Sequence, residues 1–328
     1  MMSLAITDHC EGPRGQSSAA VFEQVARQTE LADRLGFEFA WFAEHHGHVH
    51  QGHLPAPLLF ALHLAGRTER IHLGPAVICL NLHSPLAVAE QCATADILMG
   101  GRGAFGFGSG SSPPEAALFG LSSDDTDQRH VRCEAALRLI LAAWGGRIDA
   151  QTGTPFALPP QEPLPAATPG LASRSWLAVN SDGAARVAGL LGFNMLFSHL
   201  RTPAQYRQYR ASYRSAGGSG RVAANRPVHV ARDDGTAMER AGPALKLLWR
   251  RFRSEGKIPQ STPEPTCLQD LCAHPINFLV GGPATVARKL AELNEEAPFD
   301  VANLEVRWDG LGEADIHDCM RRLGDVIP

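Results

Sequence analysis

Basic clusters are missing from this chain of 328 residues: lysine and arginine are scattered without forming a block, and the formal net charge is -4. A nucleic-acid surface needs contiguous cations to displace counterions, so that class of partner is excluded and a small molecule is expected instead. Long apolar runs are missing too. No stretch reaches membrane-spanning length, and Met1 to Asp8 has no basic region followed by an apolar core, so the expectation is a soluble cytoplasmic protein without an export signal and without a membrane partner. Cysteine is sparse and irregularly placed, at 10, 79, 92, 133, 267, 272 and 319, with no C-x-x-C spacing. Such a set suits reduced, mostly buried thiols better than a disulfide framework. No break in composition divides the chain, and 44% hydrophobic residues supply a substantial core, so 1–328 reads as one domain.

What the sequence does contain is an alternation of short apolar runs and amphipathic stretches. Strands are predicted over 4–7, 39–43, 71–78, 103–107, 176–179, 194–197, 227–230 and 301–306. Helices are predicted over 19–35, 57–67, 85–98, 128–144, 182–191, 203–215, 235–252 and 283–293, with a last one ending near Val326. The strands are apolar throughout rather than alternating, as parallel strands covered on both faces are. Eight such units predict an α/β fold, a (β/α)8 TIM barrel, with an open doubly wound sheet as the alternative. Two stretches break the rhythm and read as irregular insertions, 145–174 with its many prolines and 254–274.

The run Phe39-Ala40-Trp41-Phe42-Ala43 stops at Glu44-His45-His46, which places acid/base groups at the carboxyl end of a strand, where barrels do their chemistry. Two readings of the tract 44–53 compete with a merely solvated loop. In one, His48-Val49-His50 and its neighbours, including His53, hold a metal, as in a metal-dependent hydrolase using the tract from His45 to His53. In the other, no metal is held and His45 alone acts as acid or base. The G-x-G-x-x-G pattern at 101–106 follows a helix and enters a strand, the reverse of the dinucleotide-binding context. Its continuation, Gly106-Phe107-Gly108-Ser109-Gly110, offers a strand end where a flat ligand can approach bare backbone, with close packing as the alternative. Asn180-Ser181-Asp182-Gly183 sits where a strand meets a helix, and the free amides there suit a phosphate, with Arg129 as a compensating cation.

Taken together, Leu35-Gly36-Phe37, the strand end Trp41 to His46, Arg70-Ile71-His72-Leu73-Gly74, the segment His83-Ser84-Pro85 through Glu90, Gly100-Gly101-Arg102 and Phe105-Gly106-Phe107-Gly108 resemble the bacterial luciferase-like monooxygenases in order and spacing. The likeness continues through Ser181, Gly192-Phe193 and Val280-Gly281-Gly282-Pro283 to Val326-Ile327-Pro328. The resemblance implies a barrel binding reduced flavin mononucleotide (FMN) or the deazaflavin F420. It implies His45 as the catalytic histidine, a cis peptide at Ala76-Val77 beside the flavin ring, and phosphate contacts at Ser181 and Arg129. His46 and Glu90 match positions that pair across a dimer interface, in a homodimer or heterodimer, and His199 falls in the substrate pocket. Ser109 departs from the pattern, since luciferase-type members commonly have arginine there for the phosphate. The activity so implied is a flavin-dependent monooxygenase that takes reduced FMN from a separate flavin reductase and uses O2 to oxygenate a small organic substrate. An F420-dependent hydride-transfer enzyme and a non-catalytic flavin-binding partner subunit stand as alternatives.

Overall fold

A computed structural model describes residues 2–12, 15–47, 52–110, 113–121, 126–150, 155–198, 201–254, 258, 260–265, 267, 270, 278–308, 310–324 and 326. Its strands are β1 (Ser3–Asp8), β2 (Phe39–Phe42), β3 (His72–Pro75), β4 (Ile78–Cys79), β5 (Gly106–Gly108), β6 (Trp176–Val179), β7 (Asn194–Phe197), β8 (Val222–Val230), β9 (Leu279–Gly281) and β10 (Val301–Glu305). They pair in parallel in the order β3-β2-β1-β10-β8-β7-β6-β5-β4, with β9 added to β8. The strand predicted over 71–78 is split into β3 and β4 around Ala76-Val77, whose peptide bond is cis. Both halves meet the same neighbour, β3 through a parallel bridge from Leu73 to Gly103 and β4 through Ile78 and Cys79. The ring therefore closes as a parallel barrel.

The helices are α1 (Ser18–Leu35), α2 (Pro57–Ala65), α3 (Pro85–Leu98), α4 (Pro113–Leu118), α5 (Thr126–Trp144), α6 (Asp182–Leu191), α7 (Pro203–Ser215), α8 (Asp234–Ser254), α9 (Pro283–Glu296) and α10 (Glu313–Leu323). Local chemistry sets several boundaries. Ser17 accepts the Ala20 N–H to start α1 and Gly36, at φ 82°, ends it, while Thr202 and Gln205 form a capping box on α7. The short α4 and the three-residue β9 escaped the sequence reading. β8 starts at Val222, earlier than the predicted 227, because the polar run through Asn225 and Arg226 is buried in the ladder rather than looped out. There the Arg226 guanidinium donates through Nη1 to the Tyr206 hydroxyl and the Asn225 carbonyl and through Nη2 to the Arg201 carbonyl. The first proline-rich excursion is pinned to α3, since Arg174 Nη2 lies 2.8 Å from the buried Asp96 carboxylate, which Thr168 also contacts.

Two layers make the core. Outward-facing strand residues pack against the helices, as Ile6, Phe42, Phe107, Val179 and Leu304 do. Inside the ring Ala5, Phe39, Trp41, Ala104, Trp176, Leu196, Ala223 and Val301 form a plug, with Trp41 and Trp176 ring centroids 5.1 Å apart. Each tryptophan buries on the order of 200 Å², about 5 kcal/mol of transfer free energy at ~25 cal/mol per Å², so the interior is packed and not a pore. Six of the cysteines are described and all are free; burial pushes the Cys133 and Cys319 thiols up to about 12. Among the described residues no helix is long and apolar enough to cross a membrane.

Candidate active site

Inward positions recur every second residue along a strand, and here they turn from apolar to polar toward the carboxyl ends. On β1 and beyond, Ala5 lies in the plug, Thr7 bonds Asn303, and His9 reaches the rim. β10 runs Val301, Asn303, Glu305, and β8 runs Ala223, Asn225, in the same sense. From β2, Phe39 and Trp41 fill the plug and His45 emerges above them. The rim is built by the same alternation that builds the core.

His45 is clamped from both sides. Its Nδ1 lies 3.3 Å from Glu115 Oε1 and its Nε2 lies 3.0 Å from His9 Nδ1. Glu115 comes from α4 and also accepts the His46 N–H at 2.7 Å. The far nitrogen of His9 lies 3.4 Å from Glu305 Oε1, which accepts the Asn225 amide N–H at 2.8 Å. A carboxylate, two imidazoles and a second carboxylate thus form one chain across the rim. Burial holds the His45 pKa below the ordinary imidazole value, and the Glu115 hydrogen bond offsets this only in part. Burial pulls His9 the same way, but the hydrogen bond and charge of Glu305, with the charge of Glu11, outweigh it and raise its pKa. Those opposite directions favour His9 as the donor, through Nδ1 to His45 Nε2, with His45 Nδ1 directed at Glu115. The His45 side chain is 20% exposed, so it does not face bulk solvent.

Consecutive residues diverge, and Glu44 and His46 face away from this chain. Glu44 Oε1 lies 3.0 Å from His46 Nε2 and 2.8 Å from His83 Nε2. Of the remaining histidine tract, His53 contacts the Ser18 hydroxyl at 3.0 Å, and His48 and His50 lie outside the described residues, as does His199.

Ala76 and Val77 pack against the barrel plug. The bare backbone at Gly108, read from the sequence as an approach for a flat ligand, accommodates a protein side chain, since a Cβ there would stand 2.8 Å from Val77 Cγ2. Gly106 is constrained likewise by the Pro75 carbonyl at 2.9 Å. Asn81 ties the end of β5 to the first turns of α5, donating to the carbonyls of Ser109 at 2.7 Å and Arg129 at 3.3 Å. Just past the neighbouring strand β6, Ser181 caps α6 by accepting the Ala184 N–H. Asp182 is turned toward α7, where Ser212 and Gln208 bond its carboxylate, so it does not oppose an anion at the helix start. Gly183 leaves that approach open, its nearest neighbour to a Cβ being Ser181 Oγ at 3.8 Å.

Two cavities lie away from the rim. A groove of about 430 Å³ runs between α2 and α3 and is lined by Glu44, Leu59, Leu62, His83, Glu90 and Gln91 among others. Another, of about 570 Å³, is at the amino-terminal end of the barrel, lined by Ser3, Asp33, Glu38, Arg70 and His72 among others. His9, His45, Glu115 and Glu305 line neither of them.

His9, Glu115 and Glu305 were missed in the sequence. Counting by twos from Ala5 and from Val301 reaches His9 and Glu305 directly. Glu115 carries no such signal, because it joins His45 from 70 positions away on a helix of six residues.

A closed parallel barrel with acid/base groups on its carboxyl rim is the frame of a (β/α)8 enzyme. Residues 2–300 match the model of the luciferase-like monooxygenases, and the chain belongs to that family. An uncharacterised protein, y4wF, of Sinorhizobium fredii is 34% identical over 201 residues, 59% of this chain and 55% of that protein. An F420-dependent glucose-6-phosphate dehydrogenase of Kineococcus radiotolerans is 29% identical over 57% of this chain and 58% of its own. The chain thus spans little more than half the length of these curated relatives. Among solved structures, the monooxygenase RslO1 of Streptomyces bottropensis superposes with a TM-score of 0.87 at 22% identity, covering 99% of this chain and 98% of that one. The oxygenating constituent of 3,6-diketocamphane monooxygenase of Pseudomonas putida, in complex with FMN, gives 0.82 at 20% identity over 99% and 98%. At those identities the structures establish the fold alone.

The family includes FMN-dependent and F420-dependent enzymes. The rim here fits a ligand of that kind in its chemistry: an open helix start for a phosphate, Val77 packed against the apolar plug, and an imidazole on the same rim.

Proposed function

We propose that this chain is a flavin-dependent monooxygenase that uses reduced FMN and O2 to oxygenate a small organic substrate, with the reduced flavin delivered by a separate reductase. The observation that carries the reading is His45, held between Glu115 and His9 at the carboxyl rim above the apolar plug of the barrel. When bound, the reduced flavin supplies the electrons and activates oxygen. Ser181, Gly183 and the first amides of α6 hold its phosphate, with Arg129 supplying the cation that Ser109 does not. Val77 borders the ring, with Gly108 behind it making room for the Val77 side chain. His45 moves a proton at Nε2 and exchanges it with His9, which Glu305 faces from the other side.

Ser109 favours one second reading, an F420-dependent hydride transfer on the same rim. Anaerobic titration with reduced FMN, oxidised FMN and F420, followed by oxygen-uptake assays with the ligand that binds, separates the two. Affinity for none of the three would overturn both.

The same reading makes the protein a cytoplasmic dimer of single-domain barrels, with His46 and Glu90 at the contact. The groove between α2 and α3 supports it, because Glu90 lines it and Leu59 on its wall is 69% exposed.

A further inference from the structure

Three ligand-type side chains from two elements converge on the outward face of the strand end. Glu44 Oε1 is the meeting point of His46 Nε2 and His83 Nε2, at 3.0 and 2.8 Å, and one ligand atom from each residue lies within 4.8 Å of the other two. The other carboxylate oxygen, Oε2, accepts the Cys79 N–H at 3.3 Å, which fixes the rotation of the group and commits Oε1 to the imidazoles. The Glu44 side chain is 2% exposed, against 17% for His46 and 33% for His83. A buried carboxylate requires positive compensation, and access to this one runs past the histidines.

We propose that Glu44, His46 and His83 form a divalent-cation site, with zinc the cation it is built for. Two imidazole nitrogens and one carboxylate oxygen match a borderline ion, whereas magnesium and calcium favour oxygen throughout. Zinc bonds of about 2.0–2.2 Å place tetrahedral ligand atoms roughly 3.2–3.6 Å apart. The hydrogen-bonded spacings here are a few tenths of an ångström shorter, and side-chain rotation alone opens them. Zinc would take the place of the hydrogens on His46 Nε2 and His83 Nε2, each neutral ring then carrying its proton on Nδ1. Glu44 and His83 also line the groove between α2 and α3, from which water completes the coordination. Holding the end of β2 to the turn before α3, the ion acts as a clip behind the rim and takes no part in the chemistry assigned to His45.

The test uses untagged full-length protein, stripped with EDTA and dialysed, then titrated with Zn2+ by calorimetry and with Co2+ by visible absorption. Expected are one zinc per chain, the intense visible absorption of tetrahedral Co2+, and binding weakened roughly 100-fold or more in H83A and E44Q but unchanged in H53A. His83 is a third exposed, so H83A decides the matter if E44Q fails to fold, and zinc should raise the Tm of the wild type without raising that of H83A. Absence of stoichiometric zinc in the wild type would overturn the proposal. So would binding that survives H83A and is lost in a variant of His48 and His50.

Discussion

A histidine serves at neutral pH only if its neighbours decide which nitrogen carries the proton. At this rim Glu115 takes one side of His45 and His9 the other, so the two imidazoles form a proton-sharing pair. His45→Ala is expected to leave affinity for reduced FMN within about threefold of wild type and to lower oxygenation by a factor of roughly 100 or more, the usual worth of a positioned acid/base group. Single-turnover kinetics with pre-bound reduced FMN read this directly, and unchanged turnover would remove His45 from the mechanism. His9 makes a separate prediction. Its pKa is raised in the folded protein, so the stability it gains from Glu305 is fully present below the ordinary histidine value and fades as pH rises through the raised one. Urea melts of wild type and H9Q should therefore differ by on the order of 1 kcal/mol near pH 5.5–6 and converge in mild alkali; a gap that widened with pH would contradict the assignment of the proton to His9.

At the scale of elements, the third strand shows how backbone proximity dictates sequence. A Cβ on Gly74 would stand 2.2 Å from the Ala104 carbonyl oxygen, and backbone cannot step aside. Gly74→Ala is expected to cost about 3 kcal/mol or more, measured as the loss of urea-unfolding free energy, and a near-neutral result would mean the strands are not so closely set. The turn leading into that strand depends on Asp33, whose carboxylate accepts the N–H groups of Glu69, Arg70 and Ile71 at 2.8–3.0 Å. Burial opposes its charge, but those three bonds prevail and hold its pKa below the ordinary carboxylate value. The stabilisation is thus present above about pH 4 and lost as pH falls through the lowered value. Asp33→Ala should cost about 2 kcal/mol at pH 7 and progressively less in acid. How far such elements were legible depended on whether a boundary carries its own chemistry. β6, β7, α6 and α7 could be read to the residue because Ser181, Gly192 and Thr202 punctuate them. β9 and α4 are too short for any periodicity, and β8 was read short because Asn225 and Arg226 look like loop residues until the fold brings Glu305 and Tyr206 to bond them. His45 was visible at the end of an apolar run, whereas its partner Glu115 is brought to it only by the fold.

The whole barrel divides its two ends between tasks, stability below and chemistry above, and its side wall presents a third surface. Helix α2, PLLFALHLA, is apolar at every position but His63, and a helix of that composition at a surface has little of the polar side that water would cover. Leu59 is 69% exposed on it, and the groove toward α3 carries Glu90 and His83 on its wall. A second copy of the chain, turned by a twofold axis, would cover both helices with their own equivalents, and a stable contact of that kind buries about 800 Å² per partner. Light scattering after gel filtration is expected to give twice the chain mass at micromolar concentration. Leu59→Asp places a charge at the centre of the contact and should weaken association by roughly 100-fold or more, giving a monomer with an unchanged far-UV spectrum. Because His9, His45, Glu115 and Glu305 all come from one chain, that monomer should still bind flavin. A wild-type protein of single-chain mass would show instead that the apolar wall of α2 and α3 is not a contact between copies.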